Sequence, residues 1–356
     1  MPLRPDIRFC TAGDDTKLAV GTYGSGPPLV RAGTWLTHVE YDATSPLMAH
    51  WCEELAKRHR YVAYDGRGCG LSDRQVGELS LDVFVADLEA VVDGLGLERF
   101  PLLGMSMGAP VAVAYAAKHP DRVSRLVLHG GFHRSYLSSK NPDPRVREEA
   151  DVLLKSARLG WGTGSVALRQ VFVAKFMGES TEAQRRAFDE RQRLTSTAEV
   201  AENYLRAMFA LDVKDLAPRV SCPTIAFHSR GDQLIFFEQG RKLAALIPGA
   251  RLVPLESKNH VPFREEPAWQ ALVVALRSFL DEDAGARAPG PEKELTPRQL
   301  DVLRGVARGL TDKEIASELS LSPRTVEMHV ARALAALDSA NRAEAVHKAE
   351  VLGLLA

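Results

Sequence analysis

The sequence predicts an α/β fold built on a mostly parallel sheet, followed by a small all-α unit. Three observations carry that expectation. From about residue 27 to 281, short apolar runs alternate with longer amphipathic stretches, the pattern of parallel strands joined by crossover helices. A charged, helix-prone segment without strand-like runs, roughly Ser135 to Pro218, interrupts the alternation just after a strand, where a helical lid would sit. Finally, the Gly-, Pro- and charge-rich stretch DEDAGARAPGPEK offers no large apolar side chain to bury and reads as a linker before the last 63 residues (294–356).

Within the first domain (1–281), strands are expected at Pro28–Gly33, Tyr61–Tyr64, Phe100–Gly104, Val123–His129, Thr224–His228 and Arg251–Leu255. Helices fall between them, notably Leu81–Leu95, Met107–Lys118, Phe237–Leu246 and Pro267–Leu280. After the linker (282–293), the final segment shows four helix-start signals. Thr296 with Gln299 and Thr311 with Glu314 fit capping boxes, Ser322 precedes Pro323 at a first helical position, and Asn341 stands three before Glu344.

Composition narrows the function classes. The 45 basic and 46 acidic residues nearly cancel, so no overall field draws the molecule to nucleic acid or acidic lipid, and any such contact must be local. Cys10, Cys52, Cys69 and Cys222 lack CxxC or CxxH spacing, which speaks against zinc and for free thiols in a reducing compartment. Neither a metal nor a cofactor is expected. The start MPLRPDIRFC lacks a signal-peptide core, and no stretch approaches the roughly 20 apolar residues of a membrane span, so a cytoplasmic protein without membrane contact is expected.

The segment FPLLGMSMGAPVAVAYAAKHP places Gly104, Ser106 and Gly108 in a GxSxG pattern between an apolar strand and an Ala/Val-rich helix. In that context a sharp turn lifts the serine out at the carboxyl edge of a sheet, and small neighbours let strand and helix approach. A serine hydroxyl needs a base, and the base needs an acceptor to hold its tautomer. Asp232 follows the strand-like TIAFHSRG, and His260 follows RLVPLE in the loop SKNHVPF, which gives the chain order Ser, Asp, His.

With YDGRGCGLSDR (Tyr64 to Arg74) and the stretch from GDQ to NHVPFREEP, residues 27–281 resemble the α/β-hydrolase fold over nearly its whole length. The resemblance implies Ser106 as nucleophile, His260 as base and Asp232 as its orienting acid. It also implies an oxyanion hole made of the Met107 amide and a second amide from an early loop. The family usually shows His-Gly there, whereas this chain has Ala32-Gly33 within VRAGTWLTH, which makes Thr34 the donor and Trp35 a wall of the ligand pocket. A serine rather than an aspartate at the elbow argues against dehalogenase and epoxide hydrolase chemistry. Acyl transfer to water from an ester, thioester or lactone fits, as does a pocket retained for binding only.

In the C-terminal segment, Ile315, Ala316 and Leu319 make one inward stripe, and Val326, Val330, Ala333 and Leu337 make another at spacings of 4, 3 and 4. LTPRQLDVL, DKEIASEL, LSPRTVEMHV and NRAEAV resemble the LuxR-type helix-turn-helix across the whole segment. The resemblance implies a third helix entering the major groove of double-stranded DNA, with Arg324, Thr325 and Met328 facing bases and Lys313, Thr325, His329 and Arg332 on backbone or base edges. It further implies a homodimer through the fourth helix, Asn341 to Leu352. Gln299 replaces the family's usual glutamate, and Ala336 its usual lysine near the end of the third helix. With 8 basic against 9 acidic residues in the segment, the electrostatic share of DNA affinity is modest.

Together these readings give a DNA-binding regulator whose hydrolase-like domain binds, and in one version turns over, a small organic ligand. A second version is a serine esterase or lactonase carrying a helical oligomerisation module, and a third gives the pocket to a partner protein.

Overall fold

The computed structural model describes residues 3–138, 143–161, 165–281, 297–319, 321–336, 339, 341–351 and 355. The chain divides into two compact units, Met1–Asp281 and Glu282–Ala356. The expected linker (282–293) and the Thr296 cap lie outside the described residues.

The first unit is one eight-stranded sheet. Its strands are β1 (Asp6–Thr11), β2 (Lys17–Tyr23), β3 (Pro28–Arg31), β4 (Arg60–Tyr64), β5 (Phe100–Met105), β6 (Val123–His129), β7 (Thr224–Ser229) and β8 (Arg251–Leu255). They lie in the order β1-β2-β4-β3-β5-β6-β7-β8. The contacts β1–β2 and β2–β4 are antiparallel, and every later pair is parallel. All six expected strands are present. The antiparallel pair β1 and β2 is an addition to the expectation, because β1 (DIRFCT) exposes most of its residues at the sheet edge and so carries no clean apolar alternation.

Helices α1 (Val39–Asp42) and α2 (Ala49–Ala56) connect β3 to β4, and α3 (Leu81–Gly94) and α4 (Gly108–Lys118) flank β5. Ser80 starts α3, its side chain accepting the Val83 N–H. In α4, GAPVAVAYAAK, every residue before Lys118 is buried, the pattern of a helix covered on all sides. Four helices, α5 (Pro144–Gly160), α6 (Val166–Phe176), α7 (Glu182–Thr195) and α8 (Ala198–Ala210), are inserted between β6 and β7, in the segment expected to be helical. Thr181 and Gln184 form a capping box at the start of α7. Helices α9 (Phe237–Leu246) and α10 (Pro267–Asp281) complete the unit. No helix among the described residues is long and apolar enough to cross a membrane.

The second unit contains α11 (Pro297–Ala307), α12 (Asp312–Leu319), α13 (Pro323–Ala336) and α14 (Arg342–Val351). Two small cores hold it. Val302, Ile315, Ala316, Val326 and Val330 join the first three helices. Leu303, Ala333, Ala345 and Ala349 join α11, α13 and α14. The inward positions read from the sequence are therefore buried, except Leu319, which packs partly buried against the first core, and Leu337, which lies outside the described residues.

Three of the four helix starts are described. Thr311 N–H donates to Glu314 Oε2 at 2.7 Å and Glu314 N–H returns to Thr311 Oγ1 at 3.4 Å. Ser322 Oγ accepts from Thr325 N–H at 3.1 Å, and Asn341 Oδ1 from Glu344 N–H at 2.9 Å. Loss of the first cap in Thr311→Ala is expected to destabilise α12 by about 1 kcal/mol. Hydrogen exchange of the α12 amides should then quicken by about fivefold.

Candidate active site and nucleic-acid interface

The turn after β5 places Ser106 with φ +53°, a left-handed conformation that a non-glycine residue occupies only when its surroundings enforce it. Its amide donates to the His129 carbonyl at 2.8 Å, and its own carbonyl accepts from Ala109 N–H at 3.0 Å. The flanking glycines are steric requirements. A Cβ on Gly104 would stand 2.7 Å from Ala109 Cα and 2.8 Å from the Gly108 carbonyl oxygen. One on Gly108 would stand 3.1 Å from the Ala32 carbonyl oxygen. The first clash is with backbone, which cannot yield cheaply. Gly104→Ala is expected to cost about 2 kcal/mol or more and to lower the thermal midpoint by at least about 4 °C, read by calorimetry.

Asp232 and His260 come together beneath the carboxyl ends of β7 and β8. His260 Nδ1–H donates to Asp232 Oδ2 at 2.6 Å, both side chains being buried. Asp232 Oδ1 accepts the amides of Leu234 at 2.9 Å and Ile235 at 3.0 Å. Burial pushes the Asp232 carboxyl up, but the charge and hydrogen bond of His260 outweigh it and hold the group below the usual carboxylate range. The carboxylate thus fixes the tautomer, leaving Nε2 as the basic nitrogen.

Among the described residues, that nitrogen and the Ser106 hydroxyl are both buried without a hydrogen-bond partner, and both side chains line the same cavity of about 90 Å³. Two groups of complementary chemistry without a partner among the described residues are thereby left on one cavity.

Further groups brace the histidine. His129 Nε2–H donates to the His260 carbonyl at 3.0 Å, and burial holds this second imidazole neutral, its pKa lowered to about 3. The His260 amide donates to the Phe176 carbonyl at 2.9 Å, so the end of α6 is bonded to the histidine loop. Asn259 Oδ1 accepts the Glu179 amide at 3.0 Å in the same contact.

Thr34 and Trp35 line the cavity. Trp35 is buried and stacks on Trp161 with ring centroids 5.5 Å apart. Met107 is the residue preceding α4. The motif YDGRG also finds its physical basis. Asp65 is buried, with its two oxygens accepting the amides of Val39 and Leu71 at 2.9 Å each. Arg67 reaches Asp87 at 2.9 Å, tying this loop to α3.

Three residues that sequence reasoning passed over also belong to the cavity or its wall. Arg31 and Arg191 line it, and Asp42 lies between them, Arg191 Nη2 being 3.1 Å and Arg31 Nη2 3.5 Å from its oxygens. Arg31 was detectable as a lone cation inside the apolar run PLVRAG, since unpaired arginines rarely enter a buried strand. Among the described residues, no cluster of three or more His, Cys, Asp or Glu side chains could hold a metal ion.

In the second unit, Thr325 is half-buried at the first turn of α13, its hydroxyl within 2.7 Å of Ser322 Oγ. Lys313 is exposed on α12, and His329 is half-buried with Nδ1 unpartnered. Arg324, Met328 and Arg332 lie on α13, but their side chains fall outside the described residues.

Comparison with known proteins gives two family matches. Residues 43–267 match the alpha/beta hydrolase fold, and residues 293–349 match the bacterial regulatory proteins of the luxR family. A pimeloyl-[acyl-carrier protein] methyl ester esterase of Chromobacterium violaceum is 28% identical over 75% of this chain and 99% of its own. A putative carbamate hydrolase RutD of Caulobacter sp. (strain K31) is 27% identical over 56% of this chain and 73% of its own. Among solved structures, an esterase from Exiguobacterium antarcticum superposes with TM-score 0.63 at 25% identity, covering 77% of this chain and 98% of that one. The enol-lactonase from Burkholderia xenovorans LB400, at 24% identity and TM-score 0.63 over 77% of this chain and 99% of that one, shares the fold.

Proposed function

Because the chain belongs to the alpha/beta hydrolase fold family and ends in a luxR-family DNA-binding domain, we propose that it is a ligand-responsive transcription regulator whose hydrolase domain cleaves a small ester, thioester or lactone. The observation that carries this reading is the Asp232–His260 bond at 2.6 Å, with the free His260 Nε2 and the free Ser106 hydroxyl on one cavity.

In this mechanism Ser106 Oγ attacks the carbonyl carbon while His260 Nε2 takes its proton. Asp232 stays ionised and stabilises the imidazolium that forms. The amides of Met107 and Thr34 receive the negative charge developing on the carbonyl oxygen. His260 then returns its proton to the leaving oxygen or sulfur, leaving an acyl-Ser106. Water, deprotonated by the same imidazole, releases the acid and restores the hydroxyl. The helices inserted between β6 and β7 act as the lid.

Lys313, Arg324, Thr325, Met328, His329 and Arg332 make the DNA contacts, α13 being the helix that enters the major groove. The α14 helix pairs two chains, which matches a two-fold symmetric operator. Coupling follows if cavity occupancy biases the DNA-bound state, and linkage then requires DNA to change ligand affinity by the same factor.

The hydrolytic half is tested by a fluorophosphonate probe, with the modified residue located by mass spectrometry. Stoichiometric labelling at Ser106 is expected. A folded chain that the probe leaves unmodified would remove the mechanism and leave a binding-only pocket.

A further inference from the structure

The cavity shared by Ser106 and His260 carries more positive charge than the protein itself neutralises. Arg31 (2% exposed) and Arg191 (9% exposed) both line it. Both turn to the same carboxylate, Asp42 (1% exposed). Arg191 is well served. Its Nε donates to the Leu36 carbonyl at 2.6 Å, and its Nη2 lies 3.1 Å from Asp42 Oδ1. Arg31 is not. Among the described residues its one guanidinium hydrogen bond is a long one, Nη2 to Asp42 Oδ2 at 3.5 Å, and its buried Nε has no partner.

A guanidinium offers five donors, and burying its charge costs several kcal/mol unless an anion and good hydrogen bonds compensate. Other candidate anions around Arg31 do not compensate. Asp65 spends both oxygens on the amides of Val39 and Leu71, and burial raises its carboxyl to about 7. Burial also pushes the Cys52 thiol up to about 12 and the Tyr61 hydroxyl above its usual range, and Tyr23 is a donor, to the Val39 carbonyl. One carboxylate therefore faces two permanent cations, and the less satisfied cation opens on the cavity. Apart from Thr34, the remaining walls, such as Trp35, Met105, Phe176 and Phe263, are apolar.

We propose that the natural ligand of this cavity is a small monocarboxylate, its carboxylate bonded by Arg31 and Arg191 and its acyl group presented to Ser106. An apolar pocket with one buried, under-bonded guanidinium discriminates strongly, because a neutral ligand of equal length leaves that charge desolvated and unpaired. The substrate class is accordingly the half-ester, or corresponding thioester, of a short dicarboxylic acid. The class of reaction that supplies it leaves one carboxylate free, and the product is a dicarboxylate. This assignment rests on the function proposed above only for the turnover step; the binding step stands on the arginines alone.

Two experiments on the full chain separate the two claims. In the first, wild type is given mono-4-nitrophenyl glutarate and 4-nitrophenyl pentanoate, which have acyl chains of equal carbon number. A kcat/KM ratio of at least about tenfold in favour of the glutarate is expected. The ratio should collapse in Arg31→Met and return in part in Arg31→Lys. A merely structural Arg31 would lower both rates together and keep the ratio, and a wild type that prefers the pentanoate or treats the two alike would overturn the proposal. In the second, Ser106→Ala is titrated calorimetrically with monomethyl glutarate and with dimethyl glutarate. Binding of the monoanion at least about tenfold tighter supports the carboxylate site even where wild type hydrolyses neither nitrophenyl ester, a result that would count against the hydrolase reading alone. Equal binding of the two, or binding of neither, overturns the carboxylate site.

Discussion

Ser106→Ala is expected to lower the hydrolysis of a chromogenic short-chain ester by at least about 10³-fold while leaving the thermal midpoint unchanged or slightly raised. The two readouts have different origins. Without its hydroxyl the enzyme loses the covalent route, so kcat and kcat/KM fall together. Stability behaves otherwise because Ser106 Oγ is buried without a partner, and removing an orphaned hydroxyl removes a desolvation cost. Backbone strain at φ +53° is carried equally by alanine. Initial rates and differential scanning calorimetry on the same preparations check both halves. Residual activity within tenfold of wild type would mean that another group is the nucleophile.

The combined change Arg324→Ala and Thr325→Ala is expected to weaken specific DNA binding by about 10²-fold or more, given about 1–3 kcal/mol per lost base contact. The helix itself should survive. Ser322 Oγ caps α13 through the Thr325 backbone amide at 3.1 Å, a bond that alanine retains. Val326 and Val330 stay in the core. A gel-shift titration on DNA from upstream of the chain's own operon, with circular dichroism as a control, makes the comparison. Unaltered affinity with intact helicity would remove α13 from the groove. Lys313→Ala, by contrast, should reduce the salt slope of binding by about 1 while leaving sequence preference intact.

What could be read from the sequence follows from how local each signal is. The elbow was legible because strand, GxSxG and Ala-rich helix are contiguous, and the reasons for the glycines at 104 and 108 are contacts within eight residues or with the neighbouring strand end. Asp232 and His260 were legible because each follows an apolar strand run, and adjacent parallel strands deliver their carboxyl ends to one edge. The helices of the second unit were legible from their caps and stripes.

Arg31, Asp42 and Arg191 escaped because their relation exists only after folding. They are contributed by β3, α1 and α7, and no periodicity links positions so far apart. Strand β1 escaped for the opposite reason. An edge strand with one buried residue in six looks, along the chain, like a polar connector.

The bond between the Phe176 carbonyl and the His260 amide joins the end of α6 to the loop that carries the imidazole. Any movement that draws the inserted helices away to admit a molecule must break or drag that bond. On the function proposed above, admitting a ligand past these helices therefore either breaks that bond or shifts the loop that seats the base, which links entry to the placement of the imidazole.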